Sequence, residues 1–328
     1  MLKCLNLIQT IENAHEYEII WYLAYHPILN IFASCGSDYN INIWKLSHNN
    51  QYEQISTLSQ AHTKTIRAIS WDPSGNYLAA ASMDSKVSIW KMINDNNNIK
   101  FNCSYSLEGH EKEVKSVTWS ISGKYLATCG RDKCIWIWDI DNIDICEFSC
   151  NTVLNGHTQD IKMVKWSPRE DILFSCSFDE TIKIWEYMDS EDDWVNVNTL
   201  NEHKGTVWCI DFNKDAKYFC SCSDDLSLII WSIDYSIKHY KNIQIYLKFD
   251  NLHERSIYHC KYSIDNNYIY TCAGDNSICI LQIDNNTVKL INKTNNAHKM
   301  DINCICGSKD NTIFTCSDDG SIKIWSIY

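Results

Sequence analysis

The fold is decided by a repeated stretch that is clearest in residues 110–138, HEKEVKSVTWSISGKYLATCGRDKCIWIW. In it, Asp132 follows His110 by 22 residues, and Trp138 follows Asp132 by six. With 21 to 23 residues from His to Asp, and with Leu281 in place of one Trp, the pattern occurs seven times. The His residues are 45 to 50 apart: His15/Asp38/Trp44, His62/Asp84/Trp90, His110/Asp132/Trp138, His157/Asp179/Trp185, His203/Asp225/Trp231, His253/Asp275/Leu281 and His298/Asp319/Trp325. A repeat of this length is typical of a four-stranded propeller blade. The sequence therefore predicts an all-β fold, a seven-bladed β-propeller that spans residues 1–328 as one domain.

The pattern inside one repeat predicts its strands. After His110, the apolar residues Val114, Val117 and Trp119 are spaced by three and then by two. Because side chains alternate along a strand with a period of two, the spacing of three indicates one extra residue, a β-bulge, in the first strand. The other strands of this blade are predicted at Tyr125–Thr128, Ile135–Trp138 and, from a weaker pattern, Thr152–Leu154.

The two ends of the chain complement each other. The last repeat stops at Tyr328, after its third strand, whereas an additional strand, Leu5–Ile11, precedes the first His. We expect this N-terminal strand to complete the last blade and close the ring, since closure removes open sheet edges.

Composition and charge limit the classes of function. Hydrophobic residues make up 45% of the chain, enough for an extensive core, and 3 Pro and 10 Gly leave little room for a flexible linker. With 41 acidic and 29 basic residues, the net charge of -12 should repel a nucleic-acid backbone. No segment approaches the length that a membrane span needs. We therefore expect neither nucleic acid nor a membrane as a direct partner.

The 17 cysteines are interpreted as packing residues. Six of them lie three residues before the repeat Asp, where the second repeat has Ala81: Cys35, Cys129, Cys176, Cys222, Cys272 and Cys316. A position that accepts Cys or Ala suits a small buried side chain. There is no Cys-x-x-Cys motif, so we expect no metal site and no cofactor. An odd number of thiols fits a reducing compartment, which favours the cytoplasm, with the nucleus as a second location.

The His, Asp and Trp of a repeat, with a hydroxyl residue four positions before Asp, are predicted to form a structural hydrogen-bond network, here called the tetrad. Complete tetrads are His15, Ser34, Asp38 and Trp44; His110, Thr128, Asp132 and Trp138; His157, Ser175, Asp179 and Trp185; His203, Ser221, Asp225 and Trp231; and His298, Thr315, Asp319 and Trp325. The second and sixth blades are expected to be incomplete and less firmly held, because Ala80 and Leu281 replace the hydroxyl and the Trp. A hydrolase triad of the same residue types is disfavoured, since catalysis needs one site and not five.

The tetrad also indicates which end of the ring is functional. His and Asp meet only if the loop entering each blade and the turn before its third strand lie at the same end. Two positions per blade should point outward there, the bulge residue and the residue before the repeat Asp. The bulge set is Trp21, Arg67, Lys115, Lys162, Trp208, Tyr258 and Asn303, and the second set is Ser37, Met83, Arg131, Phe178, Asp224, Gly274 and Asp318.

The bulge set and Arg131 are predicted to form a partner-binding mouth around the central channel. Trp and Arg dominate interface hot spots, and Lys115 and Lys162 make part of this mouth basic on an acidic protein. Such a mouth suits an acidic segment or a terminal carboxylate. Arg131 has no evident acidic partner within its own blade and should be free to pair with an incoming carboxylate. In the alternative interpretation, the basic side chains only solvate the mouth and the aromatic rings fill it.

In several stretches the chain resembles a branch of the WD-repeat family, the WD40 subunit of the cytosolic iron–sulfur protein assembly targeting complex. The resemblance runs from the first blade to the last, includes the bulge set, and is clearest in residues 110–119, 126–133, 157–162, 205–208 and 316–320. It implies a WD40 propeller that acts as a non-enzymatic adaptor. The partners it implies are a small partner subunit, a large helical-repeat scaffold, and the cytosolic and nuclear apoproteins to which 4Fe–4S clusters are delivered.

Within this resemblance, Arg131 corresponds to the family's functionally important arginine in the third-blade turn. Three parts of the chain depart from the family pattern: Asn94–Asn98, Asp234–Phe249 and the sixth repeat. These departures affect what the resemblance implies about docking at those loops, but not at the mouth.

Two other classes of function stay open at this point. The chain has no Gly-x-Ser-x-Gly, Gly-x-x-x-x-Gly-Lys-Ser/Thr or His-Glu-x-x-His motif, although a propeller can also assemble a catalytic site from scattered side chains. The second class is a WD40 scaffold of another complex, such as a ubiquitin-ligase substrate receptor or a histone-peptide reader.

Overall fold

The computed structural model describes residues 5–95, 98–143, 147–284 and 287–327. In these residues, 28 strands form seven antiparallel four-stranded sheets, which confirms the predicted all-β, seven-bladed propeller. The strands up to the third blade are β1 (Leu5–Ile11), β2 (Ile20–Tyr25), β3 (Ile31–Gly36), β4 (Ile41–Leu46), β5 (Tyr52–Leu58), β6 (Ile66–Trp71), β7 (Tyr77–Ser82), β8 (Lys86–Asp95), β9 (Asn98–Glu108), β10 (Val114–Trp119), β11 (Tyr125–Gly130), β12 (Cys134–Asn142) and β13 (Glu147–Asn155).

The remaining strands, of the fourth to the seventh blade, are β14 (Ile161–Trp166), β15 (Leu173–Ser177), β16 (Ile182–Met188), β17 (Asp193–Leu200), β18 (Val207–Phe212), β19 (Tyr218–Ser223), β20 (Ser227–Ile233), β21 (Ile243–Asp250), β22 (Ile257–Tyr262), β23 (Tyr268–Ala273), β24 (Ile278–Asp284), β25 (Thr287–Thr294), β26 (Ile302–Gly307), β27 (Ile313–Ser317) and β28 (Ile322–Ile327). Within the described residues, no helix has the length and hydrophobicity that a membrane crossing requires.

Every first strand begins with the predicted bulge. In β10, Val114 pairs with Gly130 and Ser116 pairs with Cys129, which leaves Lys115 as the extra residue. The other first strands have the same shift, at Trp21, Arg67, Lys162, Trp208, Tyr258 and Asn303. A bulge interrupts the alternation of side chains and changes the direction of the extra one. Each blade thus presents one side chain that does not follow the pattern of its strand.

The second strands form the centre of the hydrophobic core. The six cysteines that precede the repeat Asp by three residues are all 0% exposed, as is Ala81, which confirms that this is a packing position. Burial raises the pKa of these thiols, for example that of Cys129. In the part of the chain that the structure describes, no three His, Cys, Asp or Glu side chains are arranged to hold a metal ion.

The outer strands are longer than the sequence pattern predicts. The fourth strand of blade three was expected at Thr152–Leu154, but β13 extends over Glu147–Asn155. An outermost strand has little to pack against, so most of its side chains are exposed and its hydrophobic alternation is weak. For the same reason, the sequence pattern did not predict β21, the outer strand of blade five, although most of this strand lies within the segment Asp234–Phe249. Residues 96 and 97 of the Asn-rich segment lie outside the described residues.

The N-terminal strand closes the ring, as predicted. β1 pairs with β28 in antiparallel register, with Leu5 opposite Ile327 and Ile11 opposite Ile322. It thereby becomes the outer strand of blade seven, in which the strand order is β1, β28, β27 and β26. The first strands contact one another in order around the channel, and β26 contacts β2. Tyr328, where the last repeat was expected to stop, lies outside the described residues.

Candidate protein-interaction site at the channel mouth

The tetrads are continuous chains of hydrogen bonds. In blade three, His110 Nδ1 is 2.7 Å from Asp132 Oδ2, His110 Nε2 is 2.8 Å from Thr128 Oγ1, and the Trp138 indole donates to the same hydroxyl at 3.0 Å. Because the ionised Asp132 carboxylate only accepts, His110 Nδ1–H donates to it, and Nε2 of the neutral imidazole is then the acceptor for the Thr128 hydroxyl proton. The network therefore fixes one histidine tautomer.

Blade four has the same network. His157 Nδ1 lies 2.8 Å from Asp179 Oδ2, and His157 Nε2 lies 2.7 Å from Ser175 Oγ. The indole of Trp185 donates to the hydroxyl of Ser175 at 2.9 Å. Both Ser175 and Trp185 are buried, at 0% and 3% exposure, so this hydroxyl and this indole are closed to a substrate. The geometry thus favours the structural interpretation over a hydrolase triad.

Blade two is not incomplete, so that prediction was wrong. Its hydroxyl comes from Ser88 on the third strand, which lies directly opposite Ala80 in the sheet register. Ser88 Oγ is 2.8 Å from His62 Nε2 and accepts from the Trp90 indole at 2.9 Å. A hydroxyl one strand away thus occupies the same place in the network, which a search of the second strand alone could not find.

Blade six does lack the indole. His253 keeps its contacts with Asp275, at 3.0 Å, and with the hydroxyl of Thr271, at 2.8 Å. Leu281 fills the place of the Trp and is fully buried. The Ser277 hydroxyl lies 2.8 Å from His253 Nδ1 and extends the network on its other side.

Ser88→Ala is expected to lower the free energy of unfolding by about 1 to 3 kcal/mol, because it leaves His62 Nε2 and the Trp90 indole N–H without a partner in a buried place, while His62 Nδ1 keeps Asp84. Asp84→Ala should now cost about as much as Asp179→Ala. Chemical unfolding curves would measure these differences, with Ser106→Ala as the control, since Ser106 is exposed and pairs with Ser88 on the next strand. A Ser88→Ala protein that unfolds like Ser106→Ala would contradict the assignment.

Six of the seven bulge residues surround one opening at the end of the channel that bears the tetrads. The lining side chains are Arg67, Lys115, Lys162, Trp208, Tyr258 and Asn303, with Tyr22, Met163 and His259 below them. Trp21 lies next to this set and stacks against Arg67, whose guanidinium carbon is 4.7 Å from the indole ring centre. The structure therefore brings the predicted bulge set together. These seven residues constitute the mouth. Arg131, which was predicted to belong to it, does not line this opening.

The residues before the repeat Asp hold several mouth side chains in place. Ser37 accepts a hydrogen bond from the Trp21 indole at 2.9 Å, and Asp224 accepts one from the Trp208 indole at 2.6 Å. In two other blades, Asp318 accepts a hydrogen bond from the Asn303 side chain at 2.7 Å, and the Lys162 ammonium group lies 5.2 Å from the ring centre of Phe178. A Cβ on Gly274 would approach the Tyr258 ring to 3.2 Å. In most blades, the residue before the repeat Asp therefore lies against the bulge residue.

Arg67, Lys115 and Lys162 form one basic cluster. Burial lowers the pKa of the Lys115 ammonium group, and the Arg67 guanidinium lowers it further. Burial also lowers the pKa of Lys162, with Arg67 again contributing, although Asp160 lies 3.9 Å away and acts in the opposite direction. Because fewer water molecules compete in a partly buried site, such a cluster interacts strongly with a carboxylate.

Arg131 does have an acidic partner, so the expectation that it lacks one was wrong. Its guanidinium Nη1 lies 3.0 Å from Glu113 Oε1, and its side chain is 56% exposed. The backbone explains the contact, because the Arg131 N–H donates to the Glu113 carbonyl at 2.9 Å. The equivalent backbone bond occurs in all seven blades, so the repeat register could have revealed the pair. Arg131 lines a separate depression beside the mouth, together with Met83 and Lys64.

A group of charges inside the channel was not predicted from the sequence. Lys165, Asp211 and Lys261 each lie three residues after the bulge residue of their blade, where the other four blades have Ala, Ser, Thr or Cys. All three side chains line a cavity at the far end of the channel. Ionisable residues at a position that is otherwise small are a signal that could have indicated this cavity.

Comparisons with known proteins agree with this architecture. The family model of the WD domain, G-beta repeat, matches seven segments: residues 5–45, 52–91, 101–139, 148–186, 194–232, 246–281 and 289–326. Each segment covers three or more strands of one repeat, so the match spans the whole ring.

Three curated relatives extend over nearly the whole chain. The probable cytosolic iron-sulfur protein assembly protein Ciao1 of Culex quinquefasciatus is 40% identical over 324 residues, 93% of this chain and 94% of the relative. The protein of the same name from Aedes aegypti is 42% identical over 321 residues, 93% of each chain. The CIAO1 homolog of Schistosoma japonicum is 34% identical over 336 residues, 94% of each. The chain therefore belongs to the WD-repeat family and, within it, to the family of the cytosolic iron-sulfur protein assembly proteins Ciao1.

Proposed function

We propose that the chain is a non-enzymatic adaptor of cytosolic iron–sulfur protein assembly, which binds apoprotein clients through its mouth. The observation on which the proposal mainly depends is the cluster of Arg67, Lys115 and Lys162, framed by Trp208 and Tyr258. The names of the relatives, all of them cytosolic iron-sulfur protein assembly proteins, support the same process.

The chemistry of the mouth favours a carboxylate-bearing segment. The Lys162 ammonium group lies 4.9 Å from the Trp208 ring centre, and Trp208 meets Tyr258 edge to face at 5.4 Å. Aromatic faces beside ammonium and guanidinium groups can hold an apolar side chain and a carboxylate side by side. On a chain with a net charge of -12, this basic patch is a local site that attracts acidic segments.

The partners in this proposal are the ones that the family resemblance implies. They are a small partner subunit, a helical-repeat scaffold and the apoprotein clients, bound in the cytoplasm and also in the nucleus. The propeller itself ligates no cluster and catalyses no step. A histone-peptide reader fits less well, because a basic mouth repels basic tails.

Affinity capture followed by mass spectrometry tests the proposal. The tagged full-length chain is expected to retain iron–sulfur apoproteins, whereas Lys115→Glu/Lys162→Glu should lose them, since reversed charges repel acidic segments. The control is Lys100→Glu/Lys289→Glu, which changes the net charge equally at exposed residues of the outer strands β9 and β25.

Two results would contradict the proposal. Capture of ubiquitin-ligase subunits or histones, without iron–sulfur proteins, would favour another scaffold function. Unchanged capture by a folded Lys115→Glu/Lys162→Glu protein would remove the mouth from recognition.

A further inference from the structure

The far end of the channel contains a second site of different composition. Below the mouth, the channel narrows at Tyr22, Met163 and His259, which line both the mouth and a cavity beyond it. This cavity, here called the lower cavity, has a volume of about 400 Å³. It lies at the end where the first strand of each blade turns into the second. Cavities of this size accommodate one or two side chains of a partner or a small ligand.

A buried carboxylate between two lysines forms one wall of the lower cavity. Asp211 is 3% exposed, and its Oδ1 lies 2.9 Å from Lys261 Nζ and 3.1 Å from Lys165 Nζ. Its other oxygen accepts from the Tyr262 backbone N–H at 2.9 Å. Burial raises the pKa of the Asp211 carboxyl, but the two ammonium groups lower it more, so the pKa lies below its usual range. Asp211 is therefore ionised, and the group of three has an excess of one positive charge.

The other charged residues of the cavity do not cancel this excess. Lys309 adds a positive charge. Asp72 adds a negative charge, but its carboxylate is hydrogen-bonded within its own turn, where it accepts from the Ser74 and Tyr77 backbone N–H groups. His26 is satisfied as a neutral ring, because its Nδ1 accepts from backbone N–H groups and its Nε2 donates to a carbonyl. Each ammonium group on Asp211 keeps further N–H donors for a ligand.

His259 gives an independent indication of a ligand. The residue is only 6% exposed, it lines the cavity, and neither of its ring nitrogens has an N or O hydrogen-bond partner within the described residues. The thiols of Cys209 and Cys304 interact with the ring, but sulfur is a weak hydrogen-bonding group. Buried polar groups are nearly always paired, so an imidazole without a strong partner beside an open cavity suggests a ligand that binds there.

The rim of the lower cavity is apolar. Ile121 and Ile264 occupy the tips of their turns, line the cavity, and are 48% and 43% exposed. Turn tips usually have polar residues, and Pro27 and Pro73 occupy the equivalent turn positions of blades one and two. A small molecule inside the cavity would leave the two isoleucines in water, whereas a polypeptide crossing the rim would cover them.

We infer that the lower cavity is a second docking site, for a polypeptide segment in which an Asp or Glu side chain adjoins an apolar side chain. The carboxylate enters toward Lys165 and Lys261, and apolar side chains of the segment pack at the rim on Ile121 or Ile264. The site is separated from the mouth by the narrow part of the channel, so it does not depend on the function proposed for the mouth.

A displayed library of random seven-residue segments, flanked by neutral linkers so that no free carboxyl terminus is present, would test this inference on the full-length protein. Selected segments should be rich in Asp or Glu next to Leu, Ile or Phe. Their retention should fall at least tenfold on Ile121→Glu/Ile264→Glu, which places negative charge on exposed turn tips. The matched control, Ile55→Glu/Ile245→Glu, makes the same change at exposed sites on the outer strands and should retain them.

Two further variants separate this site from the mouth. Lys165→Met/Asp211→Asn/Lys261→Met removes the charged group without leaving an unpaired charge and should also lose the segments. Lys115→Glu/Lys162→Glu, at the mouth, should lose only segments that bind the mouth and should keep the set that the lower-cavity variants lose. Three results would overturn the inference: no enrichment of acidic–apolar segments, retention that is equal on all variants, or loss on the mouth variant alone.

Discussion

Removal of residues 1–11 is expected to destabilise the ring severely, so that the truncated chain aggregates or melts far below the full-length protein. β1 makes six register pairs with β28, and losing a backbone ladder of this length costs on the order of 5 kcal/mol. That is a large part of the stability of a typical domain. The truncation also exposes the backbone of β28, whose Ile322 and Ile324 are buried, as an apolar edge open to pairing with another chain.

The β1 strand also ties blade seven to blade one. The Gln9 side chain donates to the Tyr52 carbonyl at 2.9 Å and accepts from the Tyr52 N–H at 2.8 Å, across the junction between the last and the first blade. Without β1, these two blades keep only side-chain packing and a few hydrogen bonds, such as those from Asn303 to the Ile20 carbonyl at 2.9 Å and from the Ala14 N–H to the Gly320 carbonyl at 3.1 Å. The ring would then open at this junction.

A rearranged chain provides the control for this truncation. Because Leu5 lies opposite Ile327, residues 5–11 can follow residue 328 through a short hairpin loop and pair with β28 in the native register. Thermal melts of the full-length, truncated and rearranged chains should show a loss of stability on truncation and recovery on rearrangement. A truncated protein that melts like the full-length one would refute closure by β1.

The features that the sequence predicted well depend on residues close together in one repeat. The spacing of Val114, Val117 and Trp119 located the bulge, and the repeat of His, Asp and Trp located the blades, because each pattern follows from local backbone geometry. The surplus strand Leu5–Ile11 revealed the closure, since a propeller needs four strands in every blade.

The features that the sequence did not predict depend on pairing between strands or on contacts between different blades inside the channel. Ser88 replaces the missing hydroxyl only because it lies opposite Ala80, and Glu113 reaches Arg131 only because their backbones pair. The contact between Asp211 and its two lysines joins three different blades, whose relative heights in the ring no single repeat specifies. In the outer strands most side chains are exposed, so their sequences show no alternation of apolar and polar residues that could be detected.

Arg131 lines the depression beside the mouth, so a client held at the mouth can extend a terminal carboxylate to it. Charge reversal at Arg131 is therefore expected to weaken the binding of client segments that end in a free carboxylate by about tenfold or more. The Arg131 side chain is 56% exposed, and its pair with Glu113 is a surface ion pair worth only about 0.2 to 1 kcal/mol. An incoming carboxylate can therefore replace Glu113 at little cost. For the same reason, Arg131→Glu should leave the melting temperature nearly unchanged, and Arg131→Ala should weaken binding less than Arg131→Glu.

Glu113 allows a test in the opposite direction. If Glu113 competes with the client for the Arg131 guanidinium, Glu113→Gln should tighten binding by about two- to fivefold, the equivalent of the lost surface pair. Titration of a labelled peptide with a free carboxyl terminus, beside its amidated analogue, measures both effects. The amidated peptide should bind weakly to every variant, and the difference between the two peptides should disappear in Arg131→Glu.

Lys133→Glu is the matched control, because Lys133 is exposed in the same turn and its reversal changes the net charge equally. It should bind the peptide nearly as the unmodified protein does, since its side chain does not line the depression that Arg131 lines. Equal losses in Lys133→Glu and Arg131→Glu would mean that the net charge decides, not Arg131. Unchanged binding by a folded Arg131→Glu protein would remove Arg131 from recognition, and a collapsed melt would show that its pair with Glu113 stabilises the fold.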